Sequence, residues 1–142
     1  MLRGSCRRLL FEVKNVVIQE SAENYLETIL VLAKEKGTVR SIDIANNMGF
    51  SKPSVSVAMK QFRENGLISV DADGLITLTE SGLEIAERVY ERHLILAACL
   101  MQLGVDKDTA YADACRMEHA LSEESFAAIK NHYDTLKHHE KE

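Results

Sequence analysis

Cysteine is scarce in this sequence, and the cysteines that occur do not follow the pattern of a disulfide-rich protein. Cys6, Cys99 and Cys115 are odd in number and widely spaced along 142 residues. Disulfide frameworks are typical of secreted domains and usually need an even set of cysteines. The sequence therefore favours a reducing, intracellular environment, and we expect a cytoplasmic protein.

A hydrophobic run long enough to span a membrane is also missing from the sequence. The longest apolar stretch, Leu94–Leu103, is interrupted by Gln102, whereas a membrane helix needs about 20 apolar residues. The first ten residues carry three arginines, but Glu12 and Lys14 limit the apolar segment that follows to three residues. We therefore expect no membrane partner and no secretory signal.

Motifs of common hydrolytic enzymes are absent as well. The sequence contains no His-Glu-x-x-His arrangement and no glycine-rich phosphate-binding loop, and no second acid-base pair lies beside its candidate metal ligands. The composition predicts a non-enzymatic protein without a small-molecule substrate.

What the sequence does contain is enough apolar residues for a core and an uneven charge. Its hydrophobic content of 46% suits one domain of ordinary size or a small domain with a helical extension. Residues 79–142 carry thirteen acidic and seven basic groups, so the acidity lies in the C-terminal half. Concentrated carboxylates fit a cation-binding region, although a solvated helical surface explains most of them.

A first helix is predicted to run to about Lys36, with Ser21 as its cap and Gly37 at its end. Its buried face is expected to contain Tyr25, Ile29, Leu32 and Ala33. Asn24 and Glu27 lie three residues apart on a neighbouring stripe, from which they could reach a shared ligand. For Asn24, a solvent-facing position is the alternative.

The pattern between residues 39 and 65 is typical of a helix-turn-helix. Ser41 is predicted to cap a short helix, Gly49 to permit a tight turn, and Ser51 to cap a second helix with Pro53 in its first turn. The second helix leaves hydroxyl groups and cations exposed, where they suit DNA phosphates and base edges in a major groove. The candidate DNA-binding residues are Arg40, Ser51, Lys52, Pro53, Ser54, Ser56 and Lys60.

Two β-rich runs follow the helix-turn-helix and flank Asp73-Gly74, a pair typical of hairpin turns. A helix-turn-helix followed by a hairpin is a winged helix. We therefore predict a mainly α fold: an N-terminal winged helix-turn-helix with a two-stranded wing, followed by an all-helical dimerisation and metal-binding region. The alternative is a small helical domain whose hairpin binds protein. The near-neutral charge of residues 21–78 supports that alternative, and it predicts weak DNA binding without dimerisation or charge neutralisation.

Three further helices are predicted after the wing, with Thr79, Asp106 and Ser122 at their starts and Gly104 at the end of the first. The first of the three has an apolar stripe of Ala86, Val89, Tyr90, Leu94, Ala97, Leu100 and Met101. The last has a stripe of Phe126, Ile129, Tyr133 and Leu136. This last stripe has little to cover in so small a chain, so we expect it to pack on a partner subunit.

A candidate metal site lies in the middle one of these helices. Cys115, Glu118 and His119 are three and four residues apart, so a helix would place them on one face. A thiolate, a carboxylate and an imidazole together suit a divalent transition metal. The alternative is a buried structural cysteine beside a solvated Glu-His pair. His93 falls within the apolar stripe of the long helix, as either a ligand or a core residue.

Four regions are expected along the chain. Residues 1–18 are either a poorly ordered arm or the result of an upstream start in front of a domain that begins near Val17. Residues 19–79 form the DNA-binding domain, and residues 80–137 form the dimerisation and metal-binding domain. Residues 138–142 are a charged tail in which His138 and His139 are expected to be solvated.

From about Glu20 to Tyr133, the chain resembles the family of metal-dependent transcriptional repressors that includes the diphtheria toxin repressor and the manganese transport regulator. The matching segments are ENYLETI (23–29), DIANNM (43–48), SKPSVS (51–56), ERHL (91–94) and ACRMEHALS (114–122). The resemblance implies a homodimer that binds a palindromic operator of metal-homeostasis genes when Mn(II) or Fe(II) is bound, with Zn(II) or Co(II) as alternatives. It implies metal ligands from both regions: Glu27, His93, Cys115, Glu118, His119 and, less well matched, Asn24.

Several positions depart from the family pattern. Cys115 matches the iron-type branch, whereas Asn24 has neither the thioether of the iron type nor the aspartate of the manganese type. Ala97 and Tyr111 replace the Glu and His of the iron type's ancillary site, so a second metal site of that kind is not expected. Val57 stands where family members contact bases through a polar side chain. The alternative function is a winged-helix regulator without metal control, in which Cys115 is structural or redox-responsive.

Overall fold

The computed structural model describes residues 21–140, and predictions about residues 1–18 lie outside this range. The chain divides into two compact units between Glu87 and Arg88. Its elements are α1 (residues 21–36), α2 (Ser41–Met48), α3 (Lys52–Glu64), β1 (Ile68–Val70), β2 (Ile76–Leu78), α4 (Glu80–Gln102), α5 (Lys107–Met117) and α6 (Glu123–His139). No helix in the described range is long and apolar enough to cross a membrane. The predicted mainly α fold with a two-stranded wing is confirmed.

Helix α1 ends as predicted but differs from the prediction at two residues. Gly37 has a φ of 83°, and its N–H donates to the Ala33 carbonyl at 2.9 Å. Ser21 is itself helical, so its predicted role as the cap is wrong. Ala33 is exposed, because the last turn of α1 and the residues after it, 33–38, are not covered by other parts of the unit. The buried face instead gains Leu26 and Leu30.

The helix-turn-helix is built from local signals and a small shared core. Ser51 caps α3 by accepting the Ser54 N–H at 3.4 Å, and Gly49 takes a positive φ of 69° in the turn before it. The cap of α2 is Arg40 rather than Ser41, because the Asp43 carboxylate accepts the Arg40 N–H at 2.9 Å. The core side chains include Tyr25, Ile44, Val55, Met59 and Phe62.

Asp43 gives this cap a pH dependence. The hydrogen bond from the Arg40 amide, helped by Lys36 at 3.2 Å, holds the pKa of Asp43 below its usual value. A lowered pKa in the folded state means that the stabilisation is complete above the unfolded-state pKa and is lost as the pH falls through the folded one. We expect Asp43→Asn to cost about 0.5 to 1 kcal/mol at neutral pH, and the difference from the parent to shrink below about pH 4.

Urea unfolding at neutral and acid pH measures this difference. Glu35→Gln, which removes an exposed carboxylate from the end of α1, is the control and should change little at either pH. A deficit for Asp43→Asn that stays constant down to about pH 3 would contradict the assignment.

The wing is a two-stranded antiparallel sheet that is tied to the segment before α2. β1 and β2 pair with Ser69 opposite Thr77. The Asp71 carboxylate accepts the amides of Asp73 and Leu75, each at 2.9 Å, which fixes the predicted turn. The Ile76 N–H donates to the Val39 carbonyl at 2.7 Å, and the Arg40 guanidinium donates to the Asp73 carbonyl.

The second unit has a core formed between α4, α5 and α6. Leu96, Ala97 and Ala114 are buried at its centre, with Tyr111, Met117, Leu121 and Ile129 packed around them. Leu94, predicted to be buried, is 37% exposed, whereas Leu96 is 2% exposed. The buried row of α4 consists of Ala86, Val89, Leu96 and Ala97. Leu94 lies about 160° around the helix from Leu96 and therefore falls outside this row.

The apolar stripe of α6 is only partly available to a partner subunit. Phe126 is 7% exposed, and the Arg92 guanidinium lies 5.0 Å from the centre of its ring. Arg92 also donates to the Leu121 carbonyl at 2.7 Å. Leu136, at the other end of the stripe, is 38% exposed. The start of the stripe is therefore buried by the chain's own residues.

Candidate metal centre and DNA-binding surface

The end of α5 positions the candidate metal ligands. Asp106 starts this helix by accepting the Thr109 N–H at 3.2 Å and its hydroxyl at 2.7 Å. The helix ends at Met117, and Glu118 is its C-cap, because the Glu118 N–H still bonds to the Ala114 carbonyl at 3.0 Å. His119 lies beyond the helix that was predicted to contain it. Residues 118–120 form a turn, because the Ala120 N–H bonds to the carbonyl of Met117, three residues back, at 3.0 Å.

Glu118 is the centre of the cluster in the second unit. Its side chain is 1% exposed, which is unusual for a carboxylate. His93 Nδ1 lies 4.0 Å from Glu118 Oε2, and His119 Nε2 lies 3.4 Å from Glu118 Oε1. Each carboxylate oxygen thus faces one imidazole nitrogen, one from α4 and one from the residue that follows Glu118.

The orientation of His93 is set by Tyr111. His93 Nε2 lies 3.1 Å from the Tyr111 carbonyl oxygen, and the two rings meet edge to face with centroids 5.6 Å apart. Because a carbonyl oxygen only accepts, this contact is a hydrogen bond when Nε2 carries a proton, and in that neutral tautomer the lone pair of Nδ1 lies towards Glu118. A second hydrogen bond of this kind is usual for histidines that bind metals. Motif spacing could not predict this contact, because any residue can supply a backbone carbonyl.

The donor set fits a divalent transition metal. Ligand atoms about 2.1 Å from one ion lie about 3 to 4.2 Å from one another in tetrahedral or octahedral geometry. The His93–Glu118 and His119–Glu118 separations of 4.0 and 3.4 Å fall in that range, so each histidine can share an ion with Glu118. One carboxylate and two imidazoles are ligands that Mn(II), Fe(II), Co(II) and Zn(II) all accept.

The other predicted ligands are placed less specifically. Glu27 is buried on α1, and Asn24 is half-buried one turn before it. Cys115 is half-buried on α5. Within residues 88–140, its sulfur does not lie within 4.8 Å of the ligand atoms of two other His, Cys, Asp or Glu residues that are also that close to each other. Ala97, which replaces the Glu of the iron type's ancillary site, is fully buried in the core. The ligand roles of Glu27, Asn24 and Cys115 stay predictions, as do those of His93, Glu118 and His119.

The candidate DNA-binding surface lies on the exposed side of the helix-turn-helix. All seven predicted residues are exposed: Arg40, Ser51, Lys52, Pro53, Ser54, Ser56 and Lys60. A cleft of about 260 Å³ between α2 and α3 is lined by Ser41, Ile42, Lys52 and Ser56. Arg40 has a structural contact as well, because its guanidinium holds the wing turn through the Asp73 carbonyl.

Comparison with family models finds two matches that together cover most of the chain. Residues 18–74 match the model described as "Iron dependent repressor, N-terminal DNA binding domain". Residues 79–142 match the model described as "Iron dependent repressor, metal binding and dimerisation domain".

Sequence comparison with individual proteins also finds metal-dependent regulators. The chain is 35% identical over 119 residues to the transcriptional regulator MntR of Escherichia coli, covering 84% of this chain and 77% of that protein. It is 33% identical over 106 residues to the iron-dependent repressor IdeR of Mycobacterium bovis, covering 74% and 46%.

Among solved structures, a manganese-dependent transcriptional repressor in complex with manganese superposes with a TM-score of 0.71 and 29% identity. That match covers 80% of this chain and 52% of the other. The chain thus spans about half the length of this structure.

Proposed function

The chain belongs to the iron-dependent repressor family, and from that membership we propose that it is a DNA-binding transcriptional repressor of metal-homeostasis genes, activated by a divalent transition metal. The observation that carries the proposal is the buried Glu118 carboxylate between two imidazoles, in the same chain as an exposed helix-turn-helix with a wing. The partners are double-stranded DNA with a palindromic operator and a second copy of the chain. Its place of action is the cytoplasm, where it works as a regulator and not as an enzyme.

The metal in this proposal is Mn(II) or Fe(II), with Zn(II) or Co(II) as alternatives. We place His93, Glu118 and His119 among its ligands, because each histidine has a ring nitrogen within 4.0 Å of a Glu118 carboxylate oxygen. The family resemblance adds Glu27 and Cys115, and Asn24 as the weakest member. A bound cation would neutralise the charge of this buried carboxylate.

Operator contacts are proposed for the exposed residues of the winged helix. Lys52 and Lys60 are cations suited to phosphates, and Ser54 and Ser56 are small enough to let α3 approach the groove. Arg40, Ser51 and Pro53 complete the proposed surface. The DNA-binding domain would comprise residues 19–79, and residues 80–137 would bind metal and dimerise.

Activation follows from differential binding. A metal held by these ligands stabilises the conformations that keep the ligands together, and it shifts the population towards them. If those conformations bind the operator better, metal and DNA strengthen each other's binding by the same factor. The alternative without metal control is disfavoured, because residues 79–142 match a metal-binding domain.

Fluorescence anisotropy tests the proposed function. An operator is selected from random DNA and titrated anaerobically with the protein in the presence of Mn(II), Fe(II) or Zn(II). We expect at least one of these metals to tighten binding by about tenfold or more. Equal affinity with and without every metal would contradict the proposal.

Cys115→Ala serves as a second arm of the same titration. If the thiolate binds the metal, its loss should weaken activation by Fe(II) and Zn(II) more than activation by Mn(II). An unchanged response to all three metals would remove Cys115 from the site. DNA binding that responds to oxidants but to no metal would support the redox alternative.

A further inference from the structure

Val57 is the most exposed large apolar side chain in the described part of the first unit, with 59% of its surface accessible. Helix α3 buries Val55, Met59 and Phe62 against the core. At about 100° per residue, Val57 points away from that buried row. Folding of the unit gains little from this valine, so its side chain is available to a partner.

The neighbours of Val57 are the residues of the proposed DNA surface. Ser54 and Lys60 lie three residues before and after it, and both are exposed. Ser51 donates its hydroxyl to Ser54 Oγ at 2.8 Å, which keeps the Ser54 side chain close to the helix end. Small, tethered hydroxyl groups on one side leave room for the isopropyl group to reach the floor of a groove.

The chemistry of valine selects one feature of the major groove. An isopropyl group neither donates nor accepts a hydrogen bond, and among base edges only the C5-methyl of thymine offers an apolar contact. A β-branched side chain in a helix is held mostly in one rotamer, so it presents its methyl groups in a fixed direction. Contacts from lysine to phosphate carry no sequence information of their own.

We propose that Val57 reads the methyl group of a thymine in the operator, at one position in each half-site. This inference rests on the proposed function, since it concerns the operator that the repressor binds. It makes Val57 a specificity-determining residue, and it predicts that the protein prefers thymine over cytosine at that position.

Deoxyuridine scanning of the selected operator tests this inference, because deoxyuridine removes only the thymine methyl. The metal-loaded protein is titrated against operators that carry one such replacement at a time. We expect one position per half-site to weaken binding about fourfold, the value for burying one methyl-sized group. Val57→Ala should bind the thymine and deoxyuridine operators with nearly equal affinity.

Two further variants separate specificity from general affinity. Lys60→Ala should weaken binding to both operators by the same factor and keep the fourfold preference. Val57→Thr keeps the shape of the side chain and one methyl group, so it should retain part of the preference. If the parent is insensitive at every thymine, or if Val57→Ala keeps the parent's preference, the inference is overturned. If the metal-loaded parent binds no selected DNA, the proposed function itself fails.

Discussion

Replacing Glu118 with Gln is expected to abolish the metal-dependent gain in operator affinity. The amide has the shape of the carboxylate but no charge, and it replaces one oxygen ligand with an NH2 group that cannot bind a cation. His93 and His119 would then be left without the anion they face at 4.0 and 3.4 Å. The gain of about tenfold or more expected for the parent should therefore disappear.

The same substitution should leave the protein folded in the absence of metal. Glu118 is 2% exposed, and burial of a charged carboxylate is costly unless the charge is compensated. A neutral amide of the same size keeps the packing of the side chain, so the metal-free variant should remain folded. Loss of the metal response then reports on the site and not on unfolding.

Thermal unfolding with and without Mn(II) provides a readout that does not depend on DNA. At a free metal concentration 100 times the dissociation constant, the parent should gain about 2.7 kcal/mol of stability. Glu118→Gln should gain almost none, whereas Glu124→Gln, in the exposed first turn of α6, should behave like the parent. Retention of both the thermal shift and the affinity gain in Glu118→Gln would remove this residue from the metal site.

Local signals in the sequence predicted the helix-turn-helix and the wing. Caps and turns depend on a few neighbouring residues, such as the hydroxyl of Ser51, the backbone freedom of Gly49 and the Asp73-Gly74 pair. The N-cap of α2 is Arg40, one residue before the predicted Ser41, because the Asp43 carboxylate accepts the Arg40 N–H. Such signals state where an element begins and ends, but they do not state what covers it.

Burial was predicted less well, since it depends on the neighbours that the fold provides. Ala33 has the spacing of a core residue, but it lies in a turn of α1 that extends beyond the core. Leu94 and Leu96 are both leucines on one long helix, and only packing against α5 and α6 makes Leu96 the buried one. The two side chains lie about 160° apart around the helix. Because residues 94–98 are all apolar, periodicity does not show which side of the helix faces the core.

The candidate metal site shows the limit of motif spacing. Glu118 and His119 lie at the end of α5 with 3.4 Å between a carboxylate oxygen and a ring nitrogen, and their role as ligands stays a prediction. For His93, the sequence left a choice between ligand and core residue. The structure gives it features of both, since one ring nitrogen bonds to a neighbouring carbonyl and the other faces a carboxylate.

Gly82→Ala should destabilise the winged-helix unit, although helix propensity alone predicts the opposite. Gly82 lies in the first turn of α4, where alanine would be favoured by about 1 kcal/mol. A Cβ atom at this position would lie 2.0 Å from the Leu67 carbonyl oxygen and 2.9 Å from its carbonyl carbon. These are backbone atoms, so no side-chain rotation relieves the clash. We expect a loss of about 3 kcal/mol.

The close approach of Gly82 to Leu67 matters because it joins the wing to the start of α4. The Leu67 carbonyl accepts the Thr79 N–H at 3.1 Å, and Thr79 Oγ1 accepts the Gly82 N–H at 3.2 Å while donating to the Gly66 carbonyl at 2.6 Å. An alanine would push these two backbone segments apart and weaken all three bonds. Reduced operator affinity should accompany the lower stability, since the wing would lose its support.

Gly49→Ala is the informative comparison for Gly82→Ala in urea unfolding. Gly49 has a positive φ of 69°, but nothing lies within 4 Å of a Cβ there. Its substitution should cost only about 1 kcal/mol, the strain of a left-handed alanine. A larger loss for Gly82→Ala would show that the close approach of two backbones outweighs both propensity and strain. Equal or greater stability of Gly82→Ala relative to the parent would show that the wing and α4 separate easily.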